Sequence, residues 1–104
     1  MLTTTKITLV TVIAAFELQA RLAKDLKAAG VKGYTVGKVD GHGTHGHRAA
    51  GIADASSIRI EMLVSPTVAE AILKRLASEY ADQPLIAYVQ EVQAMPAEHF
   101  TPTA

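Results

Sequence analysis

A run of glycine, histidine and threonine residues near the middle of the chain is the part of this sequence best suited to chemistry. It reads Gly41-His42-Gly43-Thr44-His45-Gly46-His47-Arg48. Glycines let the backbone approach a ligand closely, and successive glycine N–H groups can form an anion-binding concavity. The Arg48 guanidinium is a planar fork that suits phosphate or carboxylate. The run therefore favours an anionic ligand, with His45 and Arg48 as candidate side chains.

The same histidines are open to two other interpretations. His42, His45 and His47 could ligate zinc, copper or nickel, because imidazole suits these ions, although the fourth histidine, His99, is distant in sequence. The run could also be a solvated loop without a binding role. The local pattern leaves all three interpretations open, and no residue set here combines a nucleophile, a base and an oxyanion donor. We therefore expect no enzymatic activity.

Composition narrows the class of protein. The 104 residues fit one domain over residues 1–104, and 49% of them are hydrophobic. Ten basic and ten acidic side chains cancel, which gives no reason to expect nucleic acid or an anionic membrane as a partner. The sequence has no cysteine, which excludes disulfides and thiolate sites. Neither a signal peptide nor a membrane-spanning segment is evident, so we expect a cytoplasmic location.

The elements before the glycine- and histidine-rich run are two strands and a helix. Lys6–Ile13 is rich in β-branched residues and predicts a central strand that is buried on both faces. Leucines recur at helical spacing over residues 18–26, and Gly30 suits the left-handed position that follows a helix. Gly33–Asp40 predicts a second strand, with a bulge at Gly37.

The second half of the chain again contains two predicted strands with a helix between them. Gly41–Ser56 lacks an apolar period and predicts a long loop. Ile58–Val64 alternates between apolar and other residues, which is typical of a strand with one buried face. Ser65-Pro66 is a strong helix start, because serine caps and proline fits the first helical position. Leu85–Val92 predicts a fourth strand, and the tail over residues 94–104 predicts irregular structure.

The order β-α-β-β-α-β predicts an α+β, ferredoxin-like fold. Right-handed crossovers give a four-stranded antiparallel sheet with both helices on one face. The other face carries apolar residues that need cover, and self-association is the simplest way to supply it. Glu17 and Asp25 are predicted to be surface charges of the first helix.

Two segments of the chain resemble the PII signalling proteins. Residues Ala29–His45, AGVKGYTVGKVDGHGTH, resemble the second strand of that family and the base of its mobile T-loop. Ile58–Val64 resembles the family's third strand, and the order of elements matches across Lys6–Val92. The T-loop equivalent, 41–56, is short, and the family's glycine-rich B-loop and C-terminal arginines are missing. The chain is therefore more similar to the divergent PII-like proteins associated with carboxysomes and bicarbonate transport.

That resemblance implies a non-enzymatic signalling protein without an obligatory cofactor. It implies a homotrimer that binds ADP, AMP or ATP in clefts between subunits, with bicarbonate as a second ligand. The candidate side chains for bicarbonate are His45 and Arg48, of which Arg48 has no counterpart in the family and is chosen for its charge. Loop ordering would report ligand binding to a bicarbonate transporter or a carboxysome-associated protein. The positions that match the family's nucleotide site are Gly33, Thr35, Gly41, His42, Gly43, Thr44, His45, Glu61 and Leu63.

Two alternatives to the PII-like interpretation remain at this point. The first is a trimeric metal-binding protein of the CutA kind, which shares the core architecture and would use His42, His45 and His47. The second is a small ferredoxin-fold enzyme with a cavity on its open sheet face. Stoichiometric metal binding without a nucleotide response would favour the first, and turnover of a substrate would favour the second.

Overall fold

The computed structural model describes residues 3–40 and 56–100, together with the backbone of residues 42–43 and 46–47. The strands are β1 (Thr5–Ala15), β2 (Thr35–Val39), β3 (His42–Gly43), β4 (Gly46–His47), β5 (Ser57–Val64) and β6 (Leu85–Ala94). The helices are α1 (Gln19–Ala28), α2 (Pro66–Glu79) and α3 (Ala97–Phe100), and a short 3-10 turn precedes α1. In the described part of the chain, no helix is long and apolar enough to cross a membrane.

The main sheet confirms the predicted ferredoxin-like fold. Its strand order is β2-β5-β1-β6, and all three pairings are antiparallel. Strand β1 is central, as its β-branched sequence predicts, and it is buried on both faces at its middle. Val10 and Val12 are fully buried on one face, and Thr11 is only 1% exposed on the other.

The hydrophobic core lies between one face of this sheet and the helices α1 and α2. The predicted alternation in β5 is confirmed, because every second residue from Ile58 to Val64 is buried. The helices contribute the buried residues Leu22, Leu26, Ala69, Ile72 and Leu76. The opposite face of the sheet is free of helices α1 and α2 and leaves Leu63, Ile86 and Tyr88 exposed.

The structure confirms both predicted helix signals, namely Gly30 after the end of α1 and Ser65 before the start of α2. Gly30 has a φ of 105°, and the N–H groups of Gly30 and Val31 donate to the carbonyls of Lys27 and Leu26. This is a Schellman end, which a glycine accommodates without strain. At the start of α2, the Ser65 hydroxyl accepts a hydrogen bond from the Val68 N–H at 3.2 Å. These two ends fix where the chain turns back toward the sheet.

Three local predictions are wrong: the bulge at Gly37, the first residue of β2 and the irregular structure of the tail. Gly37 forms no bulge, because its pairing with Arg59 continues the register on either side, and β2 begins at Thr35 rather than Gly33. The tail is not irregular throughout, since β6 continues to Ala94 and α3 follows it. The predicted long loop contains the paired strands β3 and β4, and the rest of residues 41–55 lies outside the described residues.

Asp25 is not the surface charge that the sequence predicts, because its side chain ties α1 to the end of α2. Its carboxylate accepts hydrogen bonds from the Tyr80 hydroxyl at 2.5 Å and from Arg75 Nε at 3.0 Å. The Tyr80 hydroxyl in particular holds the pKa of Asp25 below its ordinary value. Burial and this bond raise the pKa of Tyr80, which is 3% exposed. Arg21 covers the Tyr80 ring at 4.3 Å.

Candidate functional site

A groove of about 900 Å³ opens at one end of the sheet, where β2 and β5 separate. Its walls are the start of β1, the segment 32–35, the end of β5 with residues 61–65, and helix α3 through residues 98–100. Four separate parts of the chain therefore converge on one concave site, which is the usual form of a small-molecule site.

Strand pairing explains why the groove forms here. The pairing of β2 with β5 ends at Thr35 and Glu61, whereas the pairing of β1 with β5 continues to Val64. On the β2 side, therefore, no described strand pairs with Met62–Val64. Backbone N–H and C=O groups on such an edge are available to a ligand. The segment that leads into β2 diverges from this edge and forms the opposite wall.

The structure brings four of the predicted site residues together. Gly33 and Thr35 lie on one wall of the groove, and Glu61 and Leu63 lie on the other. Glu61 is directly opposite Thr35 in the β2–β5 register. These are four of the positions that match the family's nucleotide site, and their convergence on one groove is a finding of the structure.

The other predicted site residues lie in the 41–56 segment. His42 and Gly43 form β3, and His47 lies in β4 opposite His42. Gly41, Thr44, His45 and Arg48 lie outside the described residues. No group of three potential metal ligands occurs among the residues that are described. The anion and metal interpretations of this segment therefore stay predictions.

Sequence reasoning missed several residues that line the groove. They are Lys32 and Tyr34 on the wall that precedes β2, and Glu98, His99 and Phe100 on α3. The rings of His99 and Phe100 make an edge-to-face contact, with centroids 4.8 Å apart. No motif could have identified the α3 residues, because only the path of the tail brings them to the groove.

Besides Tyr34, four ionisable side chains line the groove: Lys32, Glu61, Glu98 and His99. None of them makes a side-chain hydrogen bond or ion pair with another described residue. Two carboxylates, one ammonium and one imidazole thus line one open groove. Their charges are available to a ligand instead of being neutralised within the fold.

Gly33 lines the groove and has open space at the position where a side chain would begin. A Cβ atom placed on Gly33 would meet no other atom within 4 Å, and the same is true of Gly37 on β2. Gly37 does not line the groove. A Cβ atom can therefore be added at this groove-lining position without a close contact, and Gly37 offers a matched position outside the groove.

A second depression of about 740 Å³ adjoins the groove. It lies between the end of α1 and the segment that leads into β2, and Lys24 and Lys27 line it. Gly30, Lys32 and Tyr34 border both depressions. The second depression has lysines but no carboxylate among its described lining residues, which distinguishes it from the groove.

The fold and the site thus define an α+β ferredoxin-like domain with a groove between β2, β5 and α3. The sequence profile of the family described as nitrogen regulatory protein P-II matches residues 7–99. The chain belongs to the PII family. A search of curated protein sequences found no significant match.

Solved structures agree with this assignment. A PII-like signalling protein from Thermus thermophilus is 36% identical over 94% of this chain and 98% of its own, with a TM-score of 0.78. CPII from Thiomonas intermedia, bound to ADP and bicarbonate, is 21% identical over 90% and 93%, also with a TM-score of 0.78. CPII bound to ADP, AMP and acetate is 20% identical over 95% and 98%, with a TM-score of 0.80.

Proposed function

We propose that this protein is a non-enzymatic PII-like signalling protein that binds adenine nucleotides in the groove between β2, β5 and α3. The observation that carries the proposal is the convergence of Gly33, Thr35, Glu61 and Leu63 on one groove of about 900 Å³. The unpaired edge of β5 supplies backbone groups for the base, and the aromatic rings of Tyr34 and Phe100 supply surfaces for stacking.

The proposed assembly is a homotrimer with the ligand in clefts between subunits. The sheet face opposite the helices supports this, because it leaves Leu63, Ile86 and Tyr88 exposed in the single chain. An apolar face of this kind is stabilised by association. Light scattering should give three times the mass of 11.0 kDa for the chain. A monomer at micromolar concentration would contradict the trimer.

Signalling would depend on the 41–56 segment, which connects the two strands that border the groove. Thr35 on β2 and Glu61 on β5 both line the groove, so a ligand there touches both strands that hold this segment. A ligand that contacts the strands differently in two states of the segment shifts the population toward one of them. We propose that ordering of the segment reports the ligand to a bicarbonate transporter or a carboxysome-associated protein.

Bicarbonate is the second ligand that we propose, on the basis of the fold shared with CPII, whose structure contains ADP and bicarbonate. Isothermal titration with ATP, ADP and AMP, each with and without bicarbonate, tests both ligands. We expect micromolar binding that bicarbonate tightens for at least one nucleotide. Absence of heat with all three nucleotides would overturn the proposal, and unchanged affinities would overturn the role of bicarbonate alone.

A pair of glycine variants tests where the nucleotide binds. In Gly33→Val, the new side chain enters open groove space, so nucleotide affinity should fall at least tenfold. In Gly37→Val, the same side chain is added on β2 outside the groove, and affinity should stay within twofold. Light scattering on both variants checks that the assembly of the wild-type protein is retained. Equal affinities in the two variants would place the nucleotide elsewhere.

A further inference from the structure

The second depression, between the end of α1 and the segment that leads into β2, is lined by lysines. Lys24 and Lys27 lie on α1, and Lys32 lies on the segment before β2. All three residues are exposed. No carboxylate is among the described residues that line this depression. Its charge is therefore positive, and an anionic partner is the class of ligand that it suits.

The described fold does not neutralise these lysines. Their side chains make no hydrogen bond or ion pair with another described residue. Asp25 lies between Lys24 and Lys27 in the sequence, but its carboxylate is bonded to Arg75 and Tyr80. The carbonyl end of α1 offsets only about half of one unit charge. A net positive charge therefore remains for a partner.

Strand β2 adds an open backbone edge to this surface. It is an outer strand of the main sheet, and no described strand pairs with the edge that faces away from β5. Tyr34, which lines the depression, directly precedes β2. Lys38 is a fourth exposed lysine here, and its pairing with the buried Ile58 places it on the sheet face that the helices cover. An edge of this kind can bind an extended segment through backbone hydrogen bonds.

We propose that this surface binds an acidic, extended segment of a partner protein, which adds to the outer edge of β2 as a further strand and places carboxylates beside Lys24, Lys27 and Lys32. Backbone hydrogen bonds would supply affinity, and the lysines would select the charge of the segment. The inference adds a contact surface to the one proposed for residues 41–56 and does not depend on nucleotide binding. The lysines lie on the helix side of the sheet, so they stay accessible when the opposite face forms the proposed trimer.

A second copy of this chain does not fit the edge as well as an acidic segment does. Two β2 strands would bring lysines together, and lysines on an edge strand generally prevent such pairing. The other outer strand, β6, contains one carboxylate, Glu91, whose Oε1 lies 3.9 Å from Lys6 Nζ. A strand rich in carboxylates reverses the sign of the interaction, so the lysines that exclude copies of this chain favour it.

Fluorescence anisotropy with synthetic peptides tests the inference on the intact protein at low salt. The probe is a labelled peptide of alternating valine and glutamate, which favours an extended strand and carries carboxylates on one face. A valine–lysine peptide reverses the charge, and a proline–glutamate peptide keeps the carboxylates but lacks the N–H groups that strand addition needs. We expect the valine–glutamate peptide to bind at least about tenfold more tightly than either control.

Lysine variants locate the binding site. Lys24→Gln, Lys27→Gln and Lys32→Gln should each weaken binding by up to about fivefold, which is the usual effect of one exposed ion pair, and the triple variant by about tenfold or more. The matched control is Lys74→Gln, which loses the same charge from an exposed position on α2 outside both depressions. Its affinity should stay within twofold. In ¹⁵N-labelled protein, the peptide should shift the backbone amides of residues 35–39.

Several results would overturn the inference. If the valine–glutamate peptide does not bind, the lysines serve only to keep other strands away from the edge. Equal binding of the proline–glutamate peptide would exclude strand addition, and equal losses in the triple variant and Lys74→Gln would exclude a site at the depression. Tighter binding of a single-stranded oligonucleotide than of the peptide would identify a different class of partner. Nucleotide titration of the groove is a separate measurement, so each proposal can fail without the other.

Discussion

Removal of one hydroxyl group, in Tyr80→Phe, tests the tie between the two main helices. The Tyr80 hydroxyl donates to Asp25 Oδ2 at 2.5 Å, and Tyr80 is only 3% exposed. A hydrogen bond to a charged group contributes about 1.5–3 kcal/mol to stability. Asp25 keeps its bond to Arg75 in the variant, and its side chain is 18% exposed, so water can replace part of the loss. We therefore expect the free energy of unfolding to fall by about 1.5 kcal/mol.

Urea unfolding followed by circular dichroism measures this loss. For a small domain, about 1.5 kcal/mol shifts the midpoint by roughly 0.5–1.5 M urea. All variants are compared at one protein concentration, because assembly makes apparent stability depend on it. Tyr34→Phe is the matched control, since Tyr34 is exposed and its hydroxyl has no described partner. A loss in Tyr80→Phe no larger than in Tyr34→Phe would show that the bond to Asp25 does not stabilise the fold.

Three further predictions concern stability and its dependence on pH. Because the pKa of Asp25 is held below its ordinary value of 3.8, its stabilising effect is complete above that pH and is lost as the pH falls through the lower, folded-state pKa. Acid unfolding of Asp25→Asn should therefore depend less on pH between about 5 and 2 than that of the wild type, and parallel curves would contradict this. In the Asp25→Asn background, Tyr80→Phe should cost less than in the wild type, and full additivity would show that the two groups are not coupled. Ser65→Ala removes the cap on the Val68 N–H and should cost about 1 kcal/mol in urea unfolding, whereas an unchanged midpoint would show that the cap is dispensable.

Much of the fold follows from local sequence signals. The alternation in Ile58–Val64, the Ser65-Pro66 start and Gly30 each have one physical reason to occur where they do, and the structure confirms all three. The prediction of a bulge at Gly37 is wrong, because glycine permits an irregular backbone but does not require one. Helix α3 was missed because the four residues from Ala97 to Phe100 are too few to show a helical period.

The candidate site was only partly predictable for a similar reason. Gly33 and Thr35 were identified through the resemblance, which rests on local sequence, and they do line the groove. Glu98 reaches the groove through tertiary structure, and no local pattern marks it. The sequence predicts that Asp25 lies at the surface, because it is a charged residue of an amphipathic helix. Its actual environment depends on Tyr80, which is 55 residues away in the chain.

NMR can show directly whether ADP binds in the groove between β2, β5 and α3. Backbone amide shifts of the ¹⁵N-labelled protein are compared before and after addition of ADP. We expect the largest changes at residues 32–35, 61–65 and 98–100, which line the groove. Binding of ADP with changes centred instead on Lys24 and Lys27, in the second depression, would contradict this expectation.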